Sequence, residues 1–232
     1  ATSYSYIGQI YFAQNDYSKA LDYFKKSLKL DLSFFGENHP SVASGYYNIG
    51  YVYFAQGDYS KALEYFEEVL KIRLSVYGEN HSRVASVYND IGEIYSVQGD
   101  DFKALDYFKK SLKIVLSVYG ENHSQVSSIY DHIGEIYFAQ KDYSKALYYF
   151  EESLKIRLSL FGENHPEVAL SYYSIGSLYI IQGDKSKALN YYEKSLKIRL
   201  SVYGENHPLT KEIMDLINVA NSKVLQSPET TK

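Results

Sequence analysis

The fold is decided by the stretch Val42-Ala43-Ser44-Gly45-Tyr46-Tyr47-Asn48-Ile49-Gly50-Tyr51-Val52-Tyr53-Phe54-Ala55-Gln56-Gly57-Asp58-Tyr59-Ser60-Lys61-Ala62-Leu63-Glu64-Tyr65-Phe66. This stretch is the second of five copies, and each copy follows the one before it by 42 residues. The Ile-Gly, Lys-Ala-Leu and Gly-Glu-Asn-His motifs recur in step, the first with its glycine at Gly8, Gly50, Gly92, Gly134 and Gly176. A fixed period of this length is typical of a solenoid, in which neighbouring repeats stack around one continuous core.

Each repeat contains two helical patterns, because the apolar residues are spaced by three and four rather than by two. The first helix is predicted from about Pro40 to Gln56, with Asn38 or His39 able to cap its free amides. Gly57-Asp58 ends this helix and opens the second, which is predicted from about Tyr59 to Tyr77. The sequence therefore predicts an all-α chain of five helix pairs.

The glycine inside each first helix indicates close packing, because glycine costs a helix about 1 kcal/mol relative to alanine. A small residue on the second helix, Ala62 in the second copy, recurs in the same phase. We therefore expect the two helices of every repeat to approach closely at these residues. The five repeats span about residues 1–39, 40–81, 82–123, 124–165 and 166–207. Residues 208–225 repeat only the first-helix pattern and are predicted to form a capping helix, and residues 226–232 a disordered tail.

The composition of the 232 residues is ordinary for a globular chain, 45% hydrophobic and 22% charged. The net charge of −4 gives no overall attraction to nucleic acid or to an anionic membrane. The absence of cysteine excludes disulfides and thiolate zinc sites, and no apolar run approaches the ~20 residues of a membrane span. With no visible secretory signal, we expect a cytoplasmic protein without nucleic-acid or membrane partners. Ala1 aligns with Ala43 inside the repeat, so we interpret the sequence as a piece of a longer chain.

The pattern Tyr46-x-x-Ile49-Gly50-x-x-Tyr53, followed by Ala62 and Phe66, resembles the tetratricopeptide repeat. The long second helix and the Gly-x-x-His-Pro-x-Val-Ala link are most similar to the repeats of kinesin light chain. The resemblance covers residues 1 to about 207 and implies a right-handed superhelical solenoid. It also implies that the first helices line a concave groove in which such proteins usually bind peptides.

The groove face implied by this resemblance changes from copy to copy, whereas the packing face hardly changes. A specialised binding surface would vary in this way, and so would solvent-exposed positions that have no function to preserve. The candidate groove residues are Tyr47, Asn48, Tyr51, Phe54, Asn89, Asp90, Glu93, Asp131, Glu135, Phe138 and Tyr173.

The charge of the candidate groove residues indicates what they would bind. Apart from Arg83, the first helices of the five repeats contain no lysine or arginine, and four of the candidates are carboxylates. Kinesin light chain and the chaperone-binding relatives need positive charge in the groove, so the sequence departs from both. We therefore predict an acidic, tyrosine-rich groove that prefers a basic or amphipathic segment. The alternative is that the carboxylates only keep the surface soluble.

No motif of the sequence indicates catalysis, a metal or a cofactor: a glycine-rich phosphate loop, a nucleophile elbow and His-Glu-x-x-His are all lacking. The five Gly-Glu-Asn-His segments are interpreted as turns and caps, because histidines on successive repeats lie too far apart to share one metal. The tyrosines that recur in phase, such as Tyr53 and Tyr65, are predicted to pack in the core or between repeats.

The sequence thus predicts a non-catalytic scaffold that holds a peptide or helix of a partner protein in its concave groove. The alternative from another class is a structural spacer or self-assembling array, which would stack end to end through an exposed terminal repeat.

Overall fold

The computed structural model describes residues 1–222, and the secondary structure of this range is helical throughout. The helices are α1 (Thr2–Ala13), α2 (Tyr17–Phe35), α3 (Pro40–Ala55), α4 (Tyr59–Tyr77), α5 (Ser82–Val97), α6 (Asp101–Tyr119), α7 (Ser124–Ala139), α8 (Tyr143–Phe161), α9 (Pro166–Ile181), α10 (Lys185–Tyr203) and α11 (Pro208–Ser222). The predicted all-α repeat fold of five helix pairs and a C-terminal helix is confirmed. Residues 223–225 of the predicted capping helix and the predicted tail lie outside the described residues.

The chain divides into two compact units, each with its own stack of helix pairs. The first unit is Ala1–Gly120 and holds α1 to α6, and the second begins at Glu121 and holds α7 to α11. In the first unit the buried core runs from Ala20 on α2 to Ile94 on α5. None of the helices in residues 1–222 has the length and apolar character needed to cross a membrane.

Histidine, rather than asparagine, caps the first helices of the second to fifth repeats and the C-terminal helix α11. The Nδ1 atom of His39 accepts a hydrogen bond from the backbone N–H of Ser41 at 3.1 Å, and its ring stacks on Phe35 at a centroid distance of 4.2 Å. The same Nδ1 cap recurs in the other Gly-Glu-Asn-His segments, at His81, His123, His165 and His207. This geometry gives these histidines the turn-and-cap role that the sequence indicated.

The close approach of the two helices of a repeat occurs at the glycines. A Cβ atom added to Gly50 would lie 3.1 Å from the Cβ of Tyr65 and 3.2 Å from the ring of Phe66. A Cβ atom added to Gly134 would lie only 2.7 Å from the ring of Phe150. The first helix of each repeat therefore rests directly on an aromatic side chain of the second.

The tyrosines that recur in phase pack within a repeat, where they form a group of three rings. In the second repeat, Tyr53 stacks on Tyr65 at a centroid distance of 5.6 Å, and Tyr46 lies 6.0 Å from Tyr65. The stacked pair recurs in every repeat, as Tyr11–Tyr23, Tyr95–Tyr107, Tyr137–Tyr149 and Tyr179–Tyr191. We call each group of three a tyrosine triad.

The glycine contacts predict a graded cost of adding one methyl group. Gly134→Ala forces a Cβ atom into the buried ring of Phe150, so we expect it to lower the free energy of unfolding by about 1–3 kcal/mol. Both substitutions gain about 1 kcal/mol of helix propensity, so the difference between them reflects the contacts alone. Gly50→Ala meets looser contacts, so its cost should be at least about 1 kcal/mol smaller. Urea denaturation measures both values. Equal costs, or a larger cost for Gly50→Ala, would contradict this account of the helix packing.

Candidate functional site

An aromatic cluster occupies the candidate groove residues of the first unit. The ring of Tyr51 lies 5.6 Å from Phe12 of the preceding repeat, 6.1 Å from Phe54 and 6.2 Å from Tyr47. Tyr51 is 44% exposed, whereas Tyr47 and Phe54 are half-buried. These residues share one face of α3 because they are spaced by three and four. The cluster therefore offers an aromatic surface with Tyr51 as its most accessible ring.

Arg73, on the second helix α4, places a positive charge beneath this cluster. Its guanidinium lies 5.2 Å from the ring centroid of Tyr47. Its Nη1 atom donates hydrogen bonds to the backbone carbonyl of Arg83 at 2.7 Å and to the Oγ of Ser86 at 2.9 Å. The arginine thus joins α4 to the start of α5.

The sequence prediction did not include this arginine among the groove residues, although the repeat carries a signal for it. Arginine recurs at the same position of the second helix, on its buried side, as Arg73, Arg157 and Arg199. Asp31 and Val115 occupy this position in the other two repeats. A charged residue that recurs on an apolar helix face predicts a buried partner.

Asp90 is a buried carboxyl group of the first unit, on α5. Its Oδ2 atom is inaccessible and has no hydrogen-bond partner among residues 1–222. Burial raises the pKa of Asp90 to about 7, and the nearby charge of Glu93 acts in the same direction. Arg73 and Tyr47 oppose this change but do not cancel it. Burial and the charge of Asp90 in turn raise the pKa of Tyr47.

Two amides among the candidate groove residues bind neighbouring side chains. The Nδ2 atom of Asn89 donates a hydrogen bond to the Oε1 of Glu93 at 2.6 Å, which directs this carboxylate along α5. The Nδ2 atom of Asn48 donates to the Oγ of Ser5 at 3.4 Å, between first helices of adjacent repeats. The structure therefore brings Tyr47, Asp90 and Glu93 together and leaves Asn48 in a contact between repeats.

In the second unit, the carboxylate of Asp131 is paired with a buried arginine. The Nη2 atom of Arg157 lies 2.7 Å from the Oδ2 of Asp131 and 3.0 Å from the Oε2 of Glu167, and its Nη1 atom donates to Ser171 at 2.8 Å. The side chain of Arg157 is only 5% exposed. Burial raises the pKa of Asp131, and the charge of Arg157 opposes that rise. This carboxylate is therefore largely neutralised by the protein itself.

Two other candidates of the second unit lie nearer to the surface. The side chain of Glu135 is 69% exposed, and its Oε2 atom lies 4.0 Å from the Nδ1 of His132. Phe138 is half-buried and meets the ring of Tyr143 edge-on at 5.9 Å. Among the carboxylates predicted for the groove, Glu135 is thus the most open to solvent.

Tyr173 joins α9 to the C-terminal helix α11. Its hydroxyl donates a hydrogen bond to the Oε1 of Glu212 at 3.0 Å, and the guanidinium of Arg199 lies 5.0 Å from its ring centroid. Arg199 also donates to the backbone carbonyl of Leu209 at 2.6 Å. Burial is the main cause that raises the pKa of Tyr173. These contacts give Tyr173 a structural role in the packing of α11.

Comparisons with known proteins identify the repeat. The family model described as tetratricopeptide repeat matches residues 1–75, 41–116, 83–159 and 125–201. A comparison with curated protein sequences gives no match.

Three solved structures illustrate the similarity of fold. BtubC (BKLC) from P. vanneervenii is 24% identical with a TM-score of 0.77, and the match covers 88% of this chain and 81% of that one. A Podosopora anserina putative kinesin light chain with nearly identical TPR-like repeats is 16% identical with a TM-score of 0.73, covering 87% and 96%. A Rap protein complexed with Competence and Sporulation Factor is 18% identical with a TM-score of 0.67, covering 94% and 64%. At these identities the likeness shows the fold alone.

The buried ion pair predicts a large effect of removing one partner. Arg157→Val, which introduces the residue that the third repeat has at this position, leaves Asp131 buried without its arginine. We expect the free energy of unfolding to fall by about 3–5 kcal/mol. The double variant Arg157→Val/Asp131→Asn should recover a substantial part of this loss. If urea denaturation gives the same value for the single and the double variant, the pairing does not stabilise this unit.

The raised pKa of Asp90 predicts a pH dependence of stability. The folded protein holds a proton on Asp90 up to about pH 7, whereas an unfolded aspartate loses it near pH 3.9. The stabilisation is therefore fully present below about pH 4 and is lost as the pH rises through 7. Asp90→Asn keeps the neutral form, so its advantage over the wild type should be near zero at pH 4 and grow toward about 4 kcal/mol above pH 8.

Urea denaturation between pH 4 and 8.5 measures this difference. Asp215→Asn, at an exposed position of α11, is the control, and we expect its difference from the wild type to stay small at every pH. An Asp90→Asn advantage that is flat across this range would rule out the buried proton.

Proposed function

Because the chain belongs to the tetratricopeptide repeat family, we propose that it is a non-catalytic scaffold that binds a segment of a partner protein on the first-helix face. The fold is compatible with such a role, since a Rap protein of the same fold has been solved in complex with Competence and Sporulation Factor. The observation that carries the proposal is the aromatic cluster of Tyr51, Phe12, Phe54 and Tyr47. Exposed aromatic residues provide much of the binding energy of protein interfaces.

The charges of this face favour a basic or amphipathic segment as the ligand. Glu93 is half-buried and Glu135 is exposed, and both belong to first helices. The arginines that could attract an acidic ligand are engaged instead, because Arg157 is paired with Asp131 and Arg73 is bound to carbonyl and hydroxyl oxygens. A ligand that supplies both an apolar side chain and a positive charge therefore matches the face best.

A random-peptide selection on the purified protein tests this proposal. We expect the wild type to enrich peptides that combine basic and aromatic or aliphatic residues. The variant Glu93→Lys/Glu135→Lys should lose at least about ninety per cent of this enrichment, because like charges repel across an interface. The control Glu67→Lys/Glu151→Lys makes the same change of charge on exposed positions of the second helices and should keep it.

The outcomes separate the proposed charge preference from the proposed binding itself. If both variants still enrich the same peptides, the face binds peptides but its charge does not select them. No enrichment by the wild type would overturn the peptide-binding proposal for this chain. Tyr51→Ala tests the aromatic cluster separately and should reduce the enrichment of apolar side chains.

A further inference from the structure

One lysine near the start of the second helix lies over the tyrosine triad in every repeat, and a second lysine lies over it in three of the five. In the first unit, the ammonium of Lys110 lies 4.9 Å from the ring centroid of Tyr107 and 6.0 Å from that of Tyr88. Lys26, at the same position of α2, lies 5.0 Å over Tyr23. In the second unit, Lys194 lies 5.2 Å over Tyr191 and 5.5 Å over Tyr172. These distances are those of cation–π interactions, so the triad surface attracts an alkylammonium group.

The other two repeats have the same tyrosines but carry glutamate where the lysine stands. The triads of the second and fourth repeats are complete, as Tyr46, Tyr53 and Tyr65 and as Tyr130, Tyr137 and Tyr149. Glu68 on α4 and Glu152 on α8 occupy the positions of Lys26, Lys110 and Lys194. The residue before them alternates only through the first four repeats, as Lys25, Glu67, Lys109 and Glu151, because the fifth repeat carries Glu193.

Each of these two acidic triads borders a cavity. The cavity beside Glu68 has a volume of about 370 Å³ and is lined by the second-repeat triad together with Glu64 and Lys61. The ammonium of Lys61 is held 2.6 Å from the carboxylate of Asp58 and lies over Tyr53, as its equivalents do in the other repeats. The cavity beside Glu152 has a volume of about 320 Å³. The walls of both cavities thus combine tyrosine with carboxylate.

The cavity of the fourth repeat has one tyrosine more than the cavity of the fifth repeat. It is lined by Tyr130, Tyr148, Glu121 and Glu152, with Lys155 at its edge. Tyr148 is 58% exposed and meets the ring of Tyr149 edge-on at 5.2 Å. No other repeat has an aromatic residue at the position of Tyr148, where Asp22, Glu64, Asp106 and Asn190 are found.

The electrostatics of the triads support a site for a cation. Burial raises the pKa of Tyr46, and the charges of Glu68 and Glu37 add to the effect. The pKa of Tyr130 is raised by burial first, and then by Tyr148, Glu152 and Glu121. Glu68 and Glu152 are paired only loosely, with Lys71 at 3.6 Å and Lys155 at 3.5 Å. Exposed pairs of this kind contribute little, so they do not prevent the carboxylates from binding another cation.

The fifth repeat provides the contrast within the same unit. Its equivalent cavity, of about 310 Å³, is lined by Tyr172 and Glu163 but also by Lys194 and Lys197. In the fifth repeat, Lys194 therefore stands at the position that Glu152 has in the fourth repeat. The same site therefore contains the chain's own lysine in the fifth repeat and a glutamate in the fourth.

We propose that the cavities beside Glu68 and Glu152 each bind an alkylammonium group, supplied by a lysine side chain of a partner protein. The bound ammonium would take the place over the tyrosine rings that Lys110 and Lys194 take in their own repeats, and the glutamate would neutralise its charge. No candidate groove residue lines either cavity, so this binding is independent of the proposed function.

A titration with n-butylammonium chloride, which has the side-chain chemistry of lysine, tests the proposal. Saturation-transfer difference NMR on the butyl protons measures its dissociation constant with the wild-type chain. We expect saturable binding in the millimolar range, and binding of the neutral analogue 1-butanol at least about fivefold weaker. Saturable binding of the cation with no preference over 1-butanol would overturn the proposed role of charge.

Two variants with the same change of net charge complete the test. Glu68→Lys/Glu152→Lys fills both sites with the residue that the other repeats have there, so binding should weaken at least about tenfold. Glu67→Lys/Glu151→Lys changes the adjacent residues, which line neither cavity, and should stay within about twofold of the wild type. Circular dichroism confirms that both variants fold. No saturable binding by the wild type, or equal binding by the two variants, would overturn the proposal.

Discussion

Every repeat depends on the contact between a helical glycine and an aromatic ring of the paired helix. The ring of Phe150 lies where a side chain of Gly134 would have to be, so the two helix backbones come close enough to enclose Ala146 completely. The same contact recurs with Phe24, Phe66, Phe108 and Tyr192. Because this spacing is fixed, the tyrosine triad falls in the same arrangement in each repeat, and a long arginine of the second helix can reach between two first helices. The features of both proposed binding surfaces follow from this one packing constraint.

The helices and their contacts could largely be predicted from the sequence, whereas the charges of the candidate site could not. The phase of Gly50 and Ala62 was enough to predict the helix pairs, because spacing along a helix determines which face is buried. Spacing left Asn38 and His39 as alternative caps, and only the geometry shows that the imidazole both accepts the backbone N–H and stacks on Phe35. Spacing shows on which face of its own helix a residue lies, but it does not show which side chain of a neighbouring helix that residue contacts. For this reason the pairing of Arg157 with Asp131 could not be read from the sequence, and the groove residues stay a prediction.

Two adjacent positions of the first helices, that of Asp131 and Tyr173 and that of Asp90, accommodate polar groups in different ways. Asp131 meets the guanidinium of Arg157, whereas Asp90 keeps one oxygen buried and without a hydrogen bond among residues 1–222. Tyr173 uses its hydroxyl to bind the C-terminal helix α11. A near-identical backbone therefore supports a structural ion pair, a carboxyl group with a raised pKa and a contact to the last helix. Differences among copies are informative here because the surrounding packing is held constant.

The alternation of lysine and glutamate on the second helices affects how such an array can change in length. The alternation is complete at the position of Glu68, where Lys26, Glu68, Lys110, Glu152 and Lys194 follow one another, whereas the fourth and fifth repeats both carry glutamate at the position of Glu67. Gain or loss of one 42-residue unit by tandem duplication or deletion would preserve every glycine contact and every histidine cap. It would nevertheless place two repeats of the same charge side by side. Within the array, only the gain or loss of an even number of units therefore keeps the order of charges at the position of Glu68.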